Sequence, residues 1–578
     1  MKRAYRPPAA LALLLLAAFL AWTGWSAALA YNFGDAAART AAAHELAHVS
    51  DLATGLPAGL PRLFSCLLFL ASALGLGSLL LLALRLRFRS RAERALLEIG
   101  AGLVAWTGIT LALGSACLLR REFFLIPCAF GLAAAGWAWL RPGRGAWDPG
   151  GEAALSPPAA GTSARLRRVA EVTTGTLLAL FLYLAMLGSL GPEVQFDSRW
   201  YHLAQVKHYV QCGCLFNMVA ETRMAVTGLP AYHQLLMTGV ATLFDVATAK
   251  LFNWFEFLLS VAMVIFFCRH HFASRLMGLV AALIFASTPL VGWMASTSAN
   301  DLPLVLFSLF SLHAFLRWRA EPAARSWLVL LGALGGFAAA MKPFALSFLF
   351  ILCLAVVAEN LWPEASNRTW RERLQSSTAG LALVGFAALA VVSPWFLRSY
   401  LTTGNPTFPF LDGVVFDSPY WNSAVEANLR AAVRLYGVER TLTWYLLLPV
   451  RTITRAHNHR AVIGPLFLIF LPVVAAALST ARGATGALFR KLALYAALVV
   501  TLWFWSGLVE TRYGAFAFPA FAMLVAYVLV EHDWGSRFGA AARAVLGVVA
   551  LLVTLLNLQP FVFLQTFGTD PSIAGRLF

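Results

Sequence analysis

The chain has 578 residues, of which 60% are hydrophobic and only 12% charged. That is more apolar surface than one globular core can hide, and it excludes a soluble protein. A net charge of +17 would suit nucleic acid in a soluble protein, but here the basic residues gather in short loops between apolar runs, the pattern of cytoplasmic anchoring, and nucleic acid is excluded as a partner.

Apolar runs of about 20 residues, enough to cross a hydrocarbon core of roughly 30 Å, recur along the whole length. The expected fold is therefore all-α, a polytopic membrane protein of about 13–15 spans, with two long periplasmic loops carrying interfacial helices. Residues 1–140 form an N-terminal set of spans. They open on a basic segment and an apolar run ending Ala28-Leu29-Ala30, read as an uncleaved anchor because the run is longer than a signal-peptide core. Arg85, Arg87, Arg89, Arg91 and Arg94 mark an inner loop and fix the orientation. Residues 141–168, rich in Pro and Gly, read as a cytoplasmic linker. Residues 169–560 form the core and 561–578 a tail.

The core's first span leads outward to Gln195–Leu203, Q-F-D-S-R-W-Y-H-L, an acid and a base among large aromatics at a membrane boundary, where such groups are costly unless they bind or react. Asp197 has two readings, an N-cap for the helix that follows or a general base in a half-apolar setting. The stretches Arg199–Val210 and Pro230–Leu243 have amphipathic helical spacing and are expected along the outer surface. Later outer turns carry Asn300-Asp301, a helix-start signal, and Lys342-Pro343. A second long outer loop holds Arg398 and T-G-N-P-T-F-P-F with Asn405, and a last outer turn holds Glu510-Thr511-Arg512-Tyr513. Of seven cysteines, Cys66, Cys117, Cys128, Cys268 and Cys353 lie in or beside apolar runs and read as buried hydrophobes. Cys212 and Cys214 are exposed and read as free thiols, too close together for an ordinary disulfide with each other.

In order, D-S-x-W-Y-H-L, N-D-L, P-W-F-L-R-S-Y-L-T-T-G-N-P-T-F-P-F and R-Y-x-x-x-x-x-P resemble the GT-C class of membrane glycosyltransferases, in the branch of bacterial Rgt-like enzymes related to protein mannosyltransferases and the lipid A aminoarabinose transferase. The resemblance covers about 170–530. It implies transfer of a sugar, with inversion, from a polyprenyl-phosphate carrier to a glycan, lipid or protein hydroxyl on the outer face of the bacterial cytoplasmic membrane. By that likeness Asp197 is the catalytic acid, and Asp301 is a second acid that orients the acceptor or binds a metal. Trp200, Tyr201, His202, Lys342, Arg398, Asn405, Arg512 and Tyr513 are expected on the substrates, the cations on the phosphate. Members differ in metal use, and the first loop lacks the paired acids of some branches, so no cofactor is assigned and a divalent cation is left open.

Two other classes compete. Many spans with few charges also suit a transporter or flippase, although transporters keep polar sites near mid-membrane, whereas here they collect at one surface. His44-Glu45-Leu46-Ala47-His48 matches the H-E-x-x-H of zinc metalloproteases without the metzincin extension. His457, Asn458 and His459 read as a solvated loop.

Overall fold

The computed structural model describes residues 9–31, 56–140, 162–193, 195–220, 227–362, 369–436, 438–453, 463–506, 508–534, 537–558 and 560–561. Among them there is no β-strand, only one isolated bridge between Asp412 and Phe416, and the all-α expectation holds. Ten helices are long and apolar enough to cross a membrane, or eleven if the pair α9 (Arg275–Ala286) and α10 (Pro289–Ser296), bent by 72°, is counted as one span. Three shorter apolar helices, at Leu14–Ala28, Ser326–Met341 and Leu466–Thr480, accompany them. The chain is a multi-pass membrane protein.

The order begins α1 (Ala9–Tyr31), α2 (Leu56–Ala83), α3 (Arg91–Ser115), α4 (Arg121–Leu140) and α5 (Thr162–Leu190). Ser90 starts α3 by accepting from the Glu93 amide. α2 packs backbone to backbone on its neighbours, because a Cβ at Gly77 would stand 1.7 Å from the Glu98 carbonyl oxygen and one at Gly102 1.7 Å from that of Ala73. Small residues let membrane helices approach this closely. α5 begins at Thr162, so the last residues of the expected linker, 162–168 with Arg165, Arg167 and Arg168, lie on a helix that continues straight into the apolar run. Residues 141–161 and the H-E-x-x-H motif lie outside the described residues, as do His457, Asn458 and His459.

A π-helical turn, Ser198–His202, leads into α6 (Leu203–Cys212), then α7 (Tyr232–Leu243) and α8 (Val246–His271). α7 does not lie on the surface as its spacing suggested. All its residues are buried, and it packs among α3, α6 and α8. Its polar positions are satisfied inside: Thr238 and Thr242 bond back to the preceding turn, and His233 pairs with Glu256 at 3.0 Å. Polar residues of this kind give a helix an amphipathic spacing without a wet face.

The remainder runs α11 (Asp301–Ala320), α12 (Ser326–Met341), α13 (Leu346–Leu361), α14 (Trp370–Thr403), α15 (Ser423–Tyr436), α16 (Leu442–Leu446), α17 (Leu448–Arg451), α18 (Leu466–Thr480), α19 (Gly483–Ser506), a 3-10 turn Thr511–Ala517, α20 (Phe518–Val530) and α21 (Arg537–Leu556). α8, α9, α11, α12 and α20 make the centre of the bundle. The start of the assigned tail belongs to it too, since Phe561 is fully buried, edge-on to Phe181 at 4.9 Å.

Polar groups concentrate at the two ends of α11. At its C-terminal end Glu93 accepts from His313 (3.0 Å) and faces Arg317 (3.2 Å), while Arg89 meets Glu321 at 2.9 Å. These bonds tie the N-terminal spans to the core. At the N-terminal end stands Asp301. Arg317 lies about 24 Å away along the helix at ~1.5 Å per residue.

Candidate active site

Four separate segments converge at the N-terminal end of α11. The first loop contributes Asp197, the start of α11 Asp301, the break between α12 and α13 Lys342, and the 3-10 turn Glu510, Arg512 and Tyr513. Arg512 joins them. Its Nη2 donates to Asp197 Oδ2 at 2.5 Å, its Nε lies 2.6 Å from Glu510 Oε1, and its Nη1 faces Asp301 Oδ2 at 3.9 Å. Lys342 donates to Asp301 Oδ1 and sits over the Tyr513 ring, 3.9 Å from its centroid. Phe344 stacks on Tyr513, ring centroids 4.7 Å apart.

The capping reading of Asp197 fails here. Its side chain makes no cap hydrogen bond; Gln195 Oε1 takes the Ser198 amide instead, at 2.5 Å, which leaves the Asp197 carboxylate for Arg512. Burial pushes Asp197 up, but the charge and hydrogen bond of Arg512, with Lys342 beyond, outweigh it and hold the carboxyl below its usual range. Asp197 keeps 14% of its side chain exposed, whereas Asp301 keeps none. Asp197 is thus the more accessible of the two acids, and Lys342 lies against the other.

The loop that carries Asp197 is pinned from both sides. Lys250, on α8, donates to the carbonyls of Gly188 (3.2 Å), Gly191 (2.7 Å) and Pro192 (3.0 Å), satisfying the end of α5 where carbonyls are otherwise orphaned. Glu193 then accepts from the Gln195 amide at 3.0 Å and from the amide and hydroxyl of Ser298 at 2.8 and 2.7 Å. One carboxylate thereby joins the loop of Asp197 to the turn before Asp301.

His202 is buried and packs against Tyr201 with the rings tilted by 38°, centroids 4.1 Å apart; burial lowers it to about 3 despite Asp197 nearby. Burial and Asp197 together raise the Tyr201 hydroxyl well above its ordinary value. Trp200 lies outside the charged cluster, 38% exposed, between Phe196 and Tyr201, as an apolar wall.

Two expected contacts are placed elsewhere. Arg398 donates to Asn217 at 3.0 Å and packs over Trp395, so it serves the next loop. Asn405 is fully buried and spends its amide on its own turn, donating to Phe410 O and Asp412 and accepting from Thr407. The T-G-N-P signature is a loop staple. Glu510 carries no site signal in the sequence although it stands two residues before Arg512, because a lone glutamate at a span end is ordinary. Gln234 and Glu193 carried no motif. Cys214 is not free: it forms a disulfide with Cys117, which is exposed and not buried as expected, because it falls at the end of its apolar run. Cys212 is free and exposed.

Among the described residues no three His, Cys, Asp or Glu groups are arranged to hold a metal, and the site's carboxylates are each met by a guanidinium or an ammonium. This donor set does not fit a divalent cation.

Residues 229–397 match the family model described as dolichyl-phosphate-mannose-protein mannosyltransferase. No curated protein matches the chain. Among solved structures, ArnT from Cupriavidus metallidurans bound to undecaprenyl phosphate is 16% identical, with 68% of this chain and 75% of that one covered at a TM-score of 0.42. An Archaeoglobus fulgidus oligosaccharyltransferase tethered to an acceptor peptide is 12% identical, with 66% and 55% covered at a TM-score of 0.38. The family match bears out the resemblance to GT-C class membrane glycosyltransferases. The matched segment carries Asp301 and Lys342; Asp197 and Arg512 flank it in sequence and meet it in space.

Proposed function

We propose that the chain transfers a sugar, with inversion, from a polyprenyl-phosphate carrier to a hydroxyl of a glycan, lipid or protein, working as a hexosyl or pentosyl transferase on the outer face of the bacterial cytoplasmic membrane. The observation that carries this reading is a reachable carboxylate, Asp197, set beside two cations, Arg512 and Lys342, at one end of an apolar bundle. Asp197 takes the proton of the acceptor hydroxyl as its oxygen bonds to the anomeric carbon. The bond from that carbon to the carrier phosphate breaks with its electron pair staying on the phosphate. Arg512 and Lys342 meet the charge that develops there. Asp301 acts behind them, holding Lys342 and facing Arg512. The disulfide Cys117–Cys214 supports an oxidising, non-cytoplasmic location for this end of the bundle.

Asp197→Asn removes the base and keeps the shape. In proteoliposomes supplied with a polyprenyl-phosphate sugar, turnover is expected to fall by about 10²- to 10⁴-fold, the usual worth of a general base, with insertion unchanged. Wild-type turnover in this variant would end the assignment. Solute movement by the same proteoliposomes without any sugar transfer would favour a transporter.

A further inference from the structure

His202 is the last residue of the π-helical turn, and its ring is held from behind. Its Nδ1 lies 2.7 Å from Gln234 Nε2 on α7, and both side chains are buried. A primary amide nitrogen can only donate, so Nδ1 accepts and carries no proton. Turning the amide over would leave an NH2 with two donors where now one oxygen, Gln234 Oε1, lacks a partner among the described residues; the present orientation strands less hydrogen-bonding capacity. The groups facing His202 are Asp197, Asp301, Lys342 and, from α7, His233. With burial keeping the imidazole neutral, its single proton must reside on Nε2.

We infer that Gln234 is a positioning residue that selects the Nε2–H tautomer of His202, so that His202 serves the active site as a fixed neutral hydrogen-bond donor to an anionic oxygen and not as a proton acceptor. This rests on the glycosyltransferase reading only for its kinetic consequence. A neutral donor strengthens the hold on an anion without adding a charge that would compete with Arg512 for Asp197. It also leaves Asp197 as the base of the site.

The tautomer is read directly on the full-length protein, labelled with ¹⁵N-histidine and reconstituted in nanodiscs, with the His202→Asn spectrum used to assign the signal. An unprotonated Nδ1 and a protonated Nε2 are expected without any substrate; a protonated Nδ1 would overturn the proposal, whatever the protein's activity. The kinetic arm uses Gln234→Glu, in which a carboxylate faces Nδ1 and draws the proton to it. The signal should move to a protonated Nδ1 and kcat fall by about 10- to 100-fold, the range for residues that orient a histidine from behind, with Gln234→Asn retaining part of the activity. A Gln234→Glu protein that folds, shifts the tautomer and keeps wild-type kcat and pH profile would refute the assigned role. Loss of activity in both variants with the wild-type tautomer unmoved would mark Gln234 as merely structural and refute it too.

Discussion

Arg512 is the side chain on which the charged cluster depends, because it faces Asp197, Glu510 and Asp301 at once. Removing one partner of a buried ion pair leaves the other uncompensated and typically costs about 3–5 kcal/mol. Arg512→Gln should therefore lower thermal stability, and it should also change the pH dependence in a direction fixed by sign. Asp197 is held below its unfolded value, so its contribution to stability is present above the unfolded pKa and is lost as pH falls through the folded one. Without the guanidinium its pKa rises. The acid limb of kcat/KM should move to higher pH in Arg512→Gln, measured as transfer rate against pH; an unmoved limb would separate Asp197 from the titration. The same reasoning describes the working enzyme. On the proposed mechanism, a phosphate that drew Arg512 toward itself would raise the basicity of Asp197, so donor arrival would prepare the base. At this scale the sequence was most legible where charge stood against an apolar background, as at Asp197, Lys342 and Arg512. It was least legible for Gln234 and Glu193, whose work depends on partners far away in the chain, and it misled at Asn405, whose turn chemistry resembles a binding motif.

Among elements, the helices were legible because span length follows from bilayer thickness, while their surroundings were not. α7 shows the difference: its period is that of a surface helix, yet neighbours on every side take up its polar groups. The turn after α3 and the loop after α6 are joined by Cys117–Cys214, residues far apart in sequence whose pairing no spacing rule reveals. That bond closes a long loop that contains α4, α5, the π-helical turn and α6. Cys214→Ser should lower stability by about 2–4 kcal/mol, as is typical for disulfides, seen as a lower Tm in detergent and reproduced by reducing the wild type. Asp197 lies inside this covalent loop, so turnover should fall further than stability alone accounts for. Equal Tm values would show that the bond carries no load.

For the whole molecule, the two charged networks on α11 stand at its opposite ends, and the orientation can be tested without activity. Cys212 is the one exposed free cysteine among the described residues. A membrane-impermeant maleimide should label it in right-side-out spheroplasts and not in inverted vesicles, with Cys212→Ser as the control. Labelling only from the inverted side would move the site to the cytoplasm. The fold class was plain from composition, since apolar runs of spanning length leave a chain few alternatives in lipid. How the N-terminal spans join the core was not, because that depends on glycine contacts between α2 and α3 and on Glu93 reaching His313 and Arg317 across the bundle.

Glu193 touches neither acid of the site, yet it fastens the loop of one to the turn of the other. It behaves as a spacer whose length is that of one glutamate side chain. Shortening it to aspartate would reset the gap between Asp197 and Asp301 while leaving both acids and their cations in the chain. The width available to an acceptor can thus be retuned from outside the reacting groups, and related chains could diverge in substrate size through this position without altering their chemistry.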